Sequence, residues 1–301
     1  MAAVKFVEGM FMKVLVVGAS GMLGNAVFRV LSQDPTCDVR GTLRSPTVLR
    51  FFPASTHARL IGGVDVLDQD SLLATFARYR PEVVINCVGL IKQLADAKDP
   101  LSALPINAML PHRLSRLCAL TGARLIHVST DCVFSGRKGG YLETDPSDAE
   151  DLYGKSKYIG ELHDQAHAIT LRTSIIGHEL NSSHALVDWF LSQRGPVRGF
   201  SKAVFSGLPT VELARVMKDF VIPHPELSGL YHVAAEPIAK LDLLRLVATQ
   251  YDKVIEIRPD DEQVIDRSLD GARFRNATGY TTPSWPVLIR QMHEKQDWRD
   301  A

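Results

Sequence analysis

Short apolar runs alternate with longer amphipathic segments along the chain from Met12 onward. The apolar runs predict β-strands over 13–18, 38–43, 58–66, 82–89, 124–130 and 168–177. The amphipathic segments, with apolar residues at helical spacing, predict helices over 24–33, 70–80, 110–122 and 152–166. Strands that are apolar on both faces and alternate with helices are typical of a parallel sheet covered by helices on both sides. The pattern therefore predicts an α/β fold, a Rossmann-type doubly wound parallel sheet.

The pattern loosens after Gly177, and the elements become harder to separate. Residues 194–210 contain glycine and proline and predict a loop. Residues 211–222 predict a helix, and 229–235 predict a strand that returns to the main sheet. This change of pattern indicates a second, smaller part of the molecule that is built from discontinuous pieces.

We expect two domains and a short N-terminal extension. The nucleotide-binding Rossmann domain is predicted over 12–180 with 209–235. A smaller substrate-binding lobe is predicted over 181–208 with 236–301. We interpret residues 1–11 as a leader- or tag-like extension, because the "MKVLVVG" that follows resembles a natural beginning.

Charge and cysteine content narrow the class of protein. The 301 residues include 34 basic and 34 acidic side chains, so the balanced charge gives no argument for nucleic acid or an anionic membrane as a partner. No apolar run approaches the length of a membrane span, and the first residues do not resemble a signal peptide. Four cysteines without a CxxC pair favour a reduced protein without a metal site. We therefore expect a cytoplasmic globular protein.

A glycine-rich loop joins the first predicted strand to its helix. Glycines at the three fixed positions of G-x-x-G-x-x-G permit a tight turn and let the backbone approach a pyrophosphate at the helix N-terminus. A plain strand-to-helix turn is the alternative, but the place of the loop in the first βαβ unit favours a dinucleotide site. The residues expected to contact the cofactor here are Gly18, Ser20, Gly21, Met22, Leu23 and Gly24.

The end of the second strand indicates which dinucleotide binds. A residue about 20 positions after the glycine loop contacts the adenosine ribose, and an acid there selects NAD. This chain has Arg44 and no acid in "GTLRS". A guanidinium suits the 2′-phosphate, so NADP(H) is favoured and NAD(H) remains possible. The alternative is that Arg44 is only a solvated residue at the end of a strand.

Further cofactor contacts are predicted at the ends of other strands, since those ends face the ligand crevice of such sheets. Asp65 and Val66 follow the third strand, where an acid meets the adenine edge. Cys87, Val88 and Gly89 follow the fourth strand, where small residues let the backbone pass close to the cofactor. The alternative for Asp65 is an acid in the loop that leads to the next helix.

A hydroxyl-bearing strand end and a Tyr-x-x-x-Lys segment follow. Ser129 and Thr130 end the strand in "HVSTDCVFSG", and "LYGKSK" contains Tyr153 and Lys157. Four-residue spacing places the last two on one helical face. Alone, Tyr153 would be a core aromatic and Lys157 a solvated lysine, but their place after the glycine loop favours a joint catalytic role.

The chain resembles the extended short-chain dehydrogenase/reductase family, most strongly over 13–25 and 125–161. Within that family, "STDCVFSG" and "YLETDPSDAEDLYGKSKYIGE" look most like the dTDP-4-dehydrorhamnose reductase group of sugar-nucleotide reductases. The resemblance implies Thr130, Tyr153 and Lys157 as the catalytic set, with Ser129, Tyr153 and Lys157 also near the cofactor.

Ketone reduction needs a hydride from a nicotinamide and a proton for the developing alkoxide. A tyrosine hydroxyl can supply the proton, but its unperturbed pKa is near 10. We expect the Lys157 ammonium to lower the pKa of Tyr153 and to hold the nicotinamide ribose. Thr130 would hydrogen-bond the carbonyl oxygen and orient it.

Cys132 distinguishes among the members of the family. The related 4,6-dehydratases carry a glutamate at this position, and a thiol is a poor acid–base substitute for it. The reductase group typically has an aromatic residue there, so this departure leaves the sugar open. Substrate contacts are predicted at Lys92, Asp131, Phe134, Phe205 and Ser206, with Arg273 and Arg275 as candidates for a diphosphate. Asn107 matches a family asparagine that supports the active site.

We predict an NADP(H)-dependent reductase of a nucleotide-linked 4-keto-6-deoxy sugar. Two alternatives remain: an epimerase of the same family, and a non-catalytic NADP-binding regulatory subunit like that of methionine adenosyltransferase. The expected partners are the nucleotide-sugar and, in a homodimer, a second copy of the chain. No cluster of acids suggests the magnesium-linked dimer that is found within the reductase group, so none is predicted.

Overall fold

The computed structural model describes residues 11–90, 98–180 and 182–299. Its strands are β1 (Met12–Val17), β2 (Cys37–Leu43), β3 (Leu60–Gly62), β4 (Val83–Asn86), β5 (Arg124–Thr130), β6 (Ala168–Thr173), β7 (Ile175–Ile176), β8 (Val197–Phe200), β9 (Ala203–Phe205), β10 (Leu208–Pro209), β11 (Gly229–His232), β12 (Ile238–Ala239), β13 (Ile257–Asp260) and β14 (Ile265–Asp266). Of the predicted N-terminal extension, only the last residue lies within the described part of the chain.

The helices lie between these strands. They are α1 (Met22–Ser32), α2 (Gln69–Tyr79), α3 (Pro100–Ala103), α4 (Leu110–Thr121), α5 (Leu152–Ile159), α6 (Leu186–Ser192), α7 (Thr210–Val216), α8 (Lys240–Gln250), α9 (Ala272–Thr278) and α10 (Trp285–His293). A wide π-type stretch, Leu104–Met109, joins α3 to α4. Within the described residues, no helix is long and apolar enough to cross a bilayer.

The central sheet has seven strands in the order β3-β2-β1-β4-β5-β6-β11, and every neighbouring pair is parallel. Consecutive residues of β1 point to opposite faces: Val14 and Val16 belong to one apolar cluster, Leu15 and Val17 to another. The predicted doubly wound Rossmann-type sheet is therefore confirmed. The strand order reverses between β1 and β4, and ligands of such sheets bind at the carboxyl ends beside that point.

Three predicted elements differ from the observed ones. The helix predicted over 152–166 ends at Ile159 and is capped by Gly160, where a Cβ would lie 2.1 Å from the carbonyl oxygen of Asn107. The strand predicted over 58–66 is only β3, since Gly63 turns the chain with φ +76°. The loop predicted over 194–210 contains β8, β9 and β10.

The short strands of this stretch pair with distant segments, which local pattern cannot reveal. β8 pairs with β13, β9 with β12 and β14, and β10 with β7. The predicted domain boundaries stay a prediction.

Candidate active site

The glycine loop is held between β1, β2 and α1. Gly18 has φ +87°, a backbone conformation that favours glycine, and its N–H donates to Thr42 Oγ1 at 3.0 Å. A Cβ on Gly24 would lie 2.0 Å from the Gly18 carbonyl oxygen, so only glycine lets α1 come this close to the loop. Gly21 precedes the first turn of α1 and carries no side chain over its N–H groups. The loop therefore fits the pyrophosphate of a dinucleotide.

The other residues predicted for the loop differ in how they could contact a cofactor. Ser20 and Met22 are half-buried, and Gly21 is exposed. Leu23 is buried in the core, so only its backbone could face a ligand.

The predicted adenosine side of the site lies at the ends of β2 and β3. Arg44 is exposed at the end of β2. Asp65 is exposed as well, and its Oδ1 accepts a hydrogen bond from the Leu67 N–H at 2.9 Å. Val66 is half-buried against the apolar cluster on the α2 face of the sheet. The side chains of Arg44 and Asp65 are thus both exposed to solvent at this edge of the sheet.

The end of β4 lies beside the glycine loop. The Val88 side chain lies where a Cβ on Gly18 would be, at 2.6 Å, so the two segments touch. Cys87 is half-buried, and Gly89 is exposed. A Cβ on Gly89 would lie 3.8 Å from Lys157 Nζ, which places this segment between the glycine loop and α5.

Thr130 and Tyr153 meet at the carboxyl end of β5. Thr130 Oγ1 accepts from the Cys132 N–H and donates to Asp131 Oδ1, both at 3.1 Å. The Thr130 side chain lowers the pKa of Tyr153, so the two side chains lie near each other. Asp151 caps α5 by accepting from the Gly154 N–H at 2.8 Å, and this fixes where the helix begins. The two hydroxyls are therefore placed together by the strand end and the helix start.

Gly154 explains how α5 comes so close to the loop after β5. A Cβ on Gly154 would lie 2.2 Å from the Cys132 carbonyl oxygen and 2.7 Å from the Ala149 side chain. No larger residue fits between the helix and the loop. Sequence reasoning gave this glycine no role, although it stands between the two predicted catalytic side chains.

Lys157 lies one turn after Tyr153 on α5, and its side chain is buried. It is only 6% exposed, and its Nζ donates to the Val128 carbonyl oxygen at 2.9 Å. Burial lowers the pKa of Lys157 to about 8, and the negative charge of Glu161 opposes that shift. The side chain is therefore an ammonium at neutral pH and loses its proton in mild alkali.

The direction of the Tyr153 pKa shift is opposite to the expectation from sequence. Burial raises the pKa of Tyr153, and the charges of Cys132, Asp131 and Asp151 add to the rise. The hydrogen bond with Thr130 opposes it. The expected lowering was wrong for this conformation, because desolvation of the phenolate outweighs the stabilising contacts. Tyr153 thus keeps its proton at neutral pH, which is the form that a proton donor needs.

Asn107 connects the end of β4 with α5. Its Oδ1 accepts from the Leu90 N–H at 2.9 Å, and its Nδ2 donates to Ser156 Oγ at 3.3 Å. The side chain is 1% exposed. Its position agrees with a supporting role for the active site.

The predicted substrate residues separate into two groups. Asp131 is buried at the end of β5, where burial raises its pKa and the charge of Arg267 opposes the rise. Phe134, Phe205 and Ser206 are almost wholly buried, and Phe134 also lines the cavity beside Cys132. Lys92 lies outside the described residues.

The buried members of this group pack against neighbouring segments, and their contact with a substrate stays a prediction. The Phe134 ring stacks on Tyr141 with centroids 4.0 Å apart, and the Phe205 ring packs at 5.5 Å from Trp285. Ser206 Oγ accepts from the Leu269 N–H at 2.8 Å. These contacts join the loop after β5 and the strand β9 to the C-terminal segment.

Arg273 and Arg275 are both exposed on α9, and Arg273 stacks over Tyr231 at 4.6 Å. The structure therefore does not bring them to the catalytic hydroxyls. Their predicted contact with a diphosphate gains no support.

A cavity of about 230 Å³ opens beside Cys132. Arg267 lines it from the C-terminal lobe, with its Nε donating to the Phe134 carbonyl oxygen at 2.8 Å. The remaining lining residues are Phe134, Ser135, Arg137, Ala149, Glu150 and Asp151. Sequence reasoning missed Arg267, since it lies in a charged stretch with no local motif. Among the described residues, no group of three or more His, Cys, Asp or Glu could hold a metal ion.

Comparisons with known proteins agree with this arrangement. The RmlD substrate binding domain family matches residues 12–273. A dTDP-4-dehydrorhamnose reductase of Streptomyces griseus is 33% identical over 148 residues, 49% of this chain and 43% of that protein. One from Aggregatibacter actinomycetemcomitans is 25% identical over 288 residues, 93% of this chain and 88% of that protein.

Two further comparisons bear on the activity and on the fold. Methionine adenosyltransferase 2 subunit beta of Mus musculus is 29% identical over 314 residues, 92% of this chain and 88% of that protein. The crystal structure of dTDP-4-dehydrorhamnose reductase from Bacillus anthracis in complex with NADP superimposes with a TM-score of 0.78 and 21% identity. It covers 95% of this chain and 100% of that one, which shows a shared fold. The chain therefore belongs to the RmlD substrate binding domain family, within the extended short-chain dehydrogenases/reductases.

Proposed function

We propose that the protein reduces a nucleotide-linked 4-keto-6-deoxy sugar with NADPH. The observation that carries the proposal is the grouping of Thr130 and Tyr153 at the carboxyl end of β5, with the buried Lys157 ammonium one turn further along α5. The glycine loop beside β4 supports it, because the loop fits a dinucleotide at the same edge of the sheet. Two relatives that are named as dTDP-4-dehydrorhamnose reductases point to the same substrate class.

The reaction follows from the protonation states of the three side chains. A bound nicotinamide supplies a hydride to the sugar C4. As the carbonyl bond becomes an alkoxide, Tyr153 gives its proton to that oxygen and becomes a phenolate. Thr130, whose hydroxyl donates to Asp131 Oδ1 in the structure, would turn that proton to the same oxygen and orient it. The Lys157 ammonium stabilises the phenolate, and solvent then returns the proton to Tyr153.

NADP(H) is the proposed cofactor, and Arg44 is the residue proposed to select it. Arg44 directly follows β2 on the adenosine side of the glycine loop and is exposed to solvent. A guanidinium can form two hydrogen bonds with a 2′-phosphate, which NAD lacks. The Bacillus anthracis relative binds NADP, and this agrees with the assignment. The expected homodimer and cytoplasmic location stay predictions.

A second candidate function is a non-catalytic regulatory subunit, favoured by the likeness to methionine adenosyltransferase 2 subunit beta. A pure binding protein has no need for a buried ammonium one turn after a protonated tyrosine. The arrangement of Tyr153 and Lys157 therefore favours catalysis.

The test is NADPH oxidation with dTDP-, UDP- and GDP-linked 4-keto-6-deoxy sugars, with Tyr153→Phe as the matched inactive variant. We expect turnover of at least one sugar by the native chain and very little by the variant. If no sugar is reduced while NADPH still binds, the regulatory subunit becomes the better assignment.

A further inference from the structure

A buried ion pair lies just beyond the C-terminal end of α5, the helix that carries Tyr153 and Lys157. Glu161 lies two residues beyond the end of α5 and is 3% exposed, and Arg172 on β6 is 1% exposed. Arg172 Nε donates to Glu161 Oε1 at 2.8 Å, and its NH2 group donates to Oε2 at 2.6 Å. Both carboxylate oxygens are therefore bound in a bidentate arrangement.

The same carboxylate also binds the strand that ends in Thr130. Ser129 Oγ donates to Glu161 Oε1 at 2.6 Å, and Ser129 directly precedes Thr130 on β5. One carboxylate thus connects three parts of the active-site framework: the helix with Tyr153 and Lys157, the strand with the reactive threonine, and β6. Ser129 was expected to contact the cofactor, but its hydroxyl donates to the carboxylate of this ion pair.

Arg172 is also held in place by residues other than Glu161. Its NH1 group donates to His232 Nε2 at 2.9 Å, and His232 Nδ1 lies 3.0 Å from the Tyr141 carbonyl oxygen. Burial and the charge of Arg172 lower the pKa of His232 to about 3, so the ring is neutral and accepts from the guanidinium. The Phe134 ring covers the guanidinium at 4.9 Å. The pair is therefore held in one geometry by neighbours on several elements.

We propose that Glu161 is a positioning residue: through Arg172 and Ser129 it holds the helix of Tyr153 and Lys157 against the strand that ends in Thr130. This inference rests on the proposed role of those three side chains in catalysis. Its negative charge, just beyond the end of that helix, also keeps Lys157 protonated despite burial.

Within the described residues, the following charged and titratable groups face Lys157. On its own helix, α5, they are Tyr153, Lys155 and Tyr158, and Glu161 lies two residues beyond the end of the helix. From β5, His127 is buried, and burial followed by the charges of Lys157 and His112 lowers its pKa, so the ring is neutral. Burial raises the pKa of Cys87, at the end of β4, to about 12, so the thiol is neutral too. Among the described residues, Glu161 is the carboxylate whose charge acts on the pKa of Lys157.

The neighbours of Glu161 set how much of its charge reaches Lys157. Arg172 partly neutralises the carboxylate through the bidentate contact, and His163 Nε2 lies 3.6 Å from Oε2. Removing the carboxylate charge leaves Arg172 unbalanced near the lysine. Both effects lower the pKa of Lys157, so the ammonium is lost at a lower pH.

The chain contains a matched control for this pair. Glu212 on α7 is 1% exposed and accepts from Arg215 Nε at 2.9 Å and from its NH2 group at 2.6 Å. The Tyr280 hydroxyl donates to it at 2.7 Å, in the place that Ser129 takes for Glu161. Glu212→Gln therefore removes an equally buried, equally bonded carboxylate that does not touch the catalytic helix.

The experiment compares Glu161→Gln with Glu212→Gln in two measurements. The first is the pH dependence of kcat/KM for NADPH-dependent reduction. The second needs no activity: the reactivity of Lys157 toward an acylating reagent is followed against pH by mass spectrometry, with the exposed Lys155 as internal reference. For Glu161→Gln we expect the Lys157 titration and the alkaline limb to move down by about half a pH unit or more. For Glu212→Gln we expect neither to move.

Ser129→Ala keeps the charge and removes only the bond to β5. We expect it to leave the Lys157 titration unchanged and to lower kcat several-fold without changing the KM for NADPH. If Glu161→Gln does not fold, Ser129→Ala still tests the proposal.

Two outcomes would overturn the proposal. One is a Lys157 titration that stays in place in Glu161→Gln or moves equally in Glu212→Gln. The other is a native kcat in Ser129→Ala. An inactive native chain would refute the proposed function instead, while the labelling measurement would still test the charge of Glu161.

Discussion

The catalytic end of the site and its adenosine end differ in how far the folded protein already fixes their side chains. Thr130 and Lys157 are each 9% exposed or less, and each is hydrogen-bonded to a neighbour. Arg44 is exposed, and its side chain makes no hydrogen bond within the ranges that the structure describes. The reacting groups are thus fixed by packing, whereas the residue proposed to choose the cofactor would gain its partner only on binding.

Because of this difference, we expect mutations at the two ends of the site to have different effects. Changes at the catalytic end should act on rate or stability, because each side chain belongs to a buried network. A change at the adenosine end should act on affinity alone, because nothing in the fold depends on an exposed guanidinium. The following predictions test that separation.

The largest effect is expected for Tyr153→Phe. The variant loses the proton donor but keeps the ring, so kcat should fall by about 10²–10⁴-fold. NADPH affinity, measured by fluorescence titration, should stay within about twofold of the native value. A comparable loss of NADPH binding would mean that the hydroxyl holds the cofactor and does not only donate a proton.

Gly24→Ala tests the close approach of α1 to the glycine loop. A Cβ would lie 2.0 Å from the Gly18 carbonyl oxygen, so the helix or the loop must shift, at a cost of about 1–3 kcal/mol in the free energy of unfolding. Urea denaturation measures that cost, and NADPH affinity should fall with it. Gly195→Ala is the control, since a Cβ there meets nothing within 4 Å. Equal stability of the two variants would contradict the packing argument.

Arg44→Ala tests the adenosine end by itself. We expect the preference for NADP over NAD, as the ratio of dissociation constants, to fall about tenfold, with the melting temperature unchanged. Arg50→Ala removes another exposed arginine nearby and should leave the ratio as it is. An equal loss of affinity for both dinucleotides would show that Arg44 does not contact the 2′-phosphate.

The smallest effect concerns pH. Since the pKa of Lys157 is lowered to about 8, its ammonium form is present below that pH and is lost as the pH rises through it. If the reaction needs the ammonium, kcat/KM at pH 8 should be about half its value at pH 7 and should decline further in alkali. A profile that stays flat up to pH 10 would exclude a catalytic role for the charge of Lys157.

Sequence features that rest on a few consecutive residues predicted the structure correctly. Features that depend on distant segments did not. The strand predicted over 124–130 coincides with β5, and the glycine loop lies where the first βαβ unit predicts it. Both signals rest on a few consecutive residues. In contrast, β8 and β9 were predicted as loop, because their partners β13 and β14 lie tens of residues away in the chain.

The substrate residues illustrate the same limit. Phe134 and Phe205 were expected to face a sugar, but both rings are used in packing against Tyr141 and Trp285. An aromatic residue near a site motif can pack inward or outward, and the motif does not decide which. Arg267 had no motif at all, and it reaches the cavity beside Cys132 only because the C-terminal lobe folds over the loop.

The sequence by itself determined the parallel sheet, the glycine loop and the identity of the residues that meet at the end of β5. Apolar periodicity and residue spacing carry that information locally. Only the tertiary structure decided the electrostatics of those residues: burial raises the pKa of Tyr153, and a carboxylate held by Arg172 supports the charge of Lys157. A pKa depends on which groups surround a side chain and how far water is excluded, and both are set by packing between segments distant in the chain.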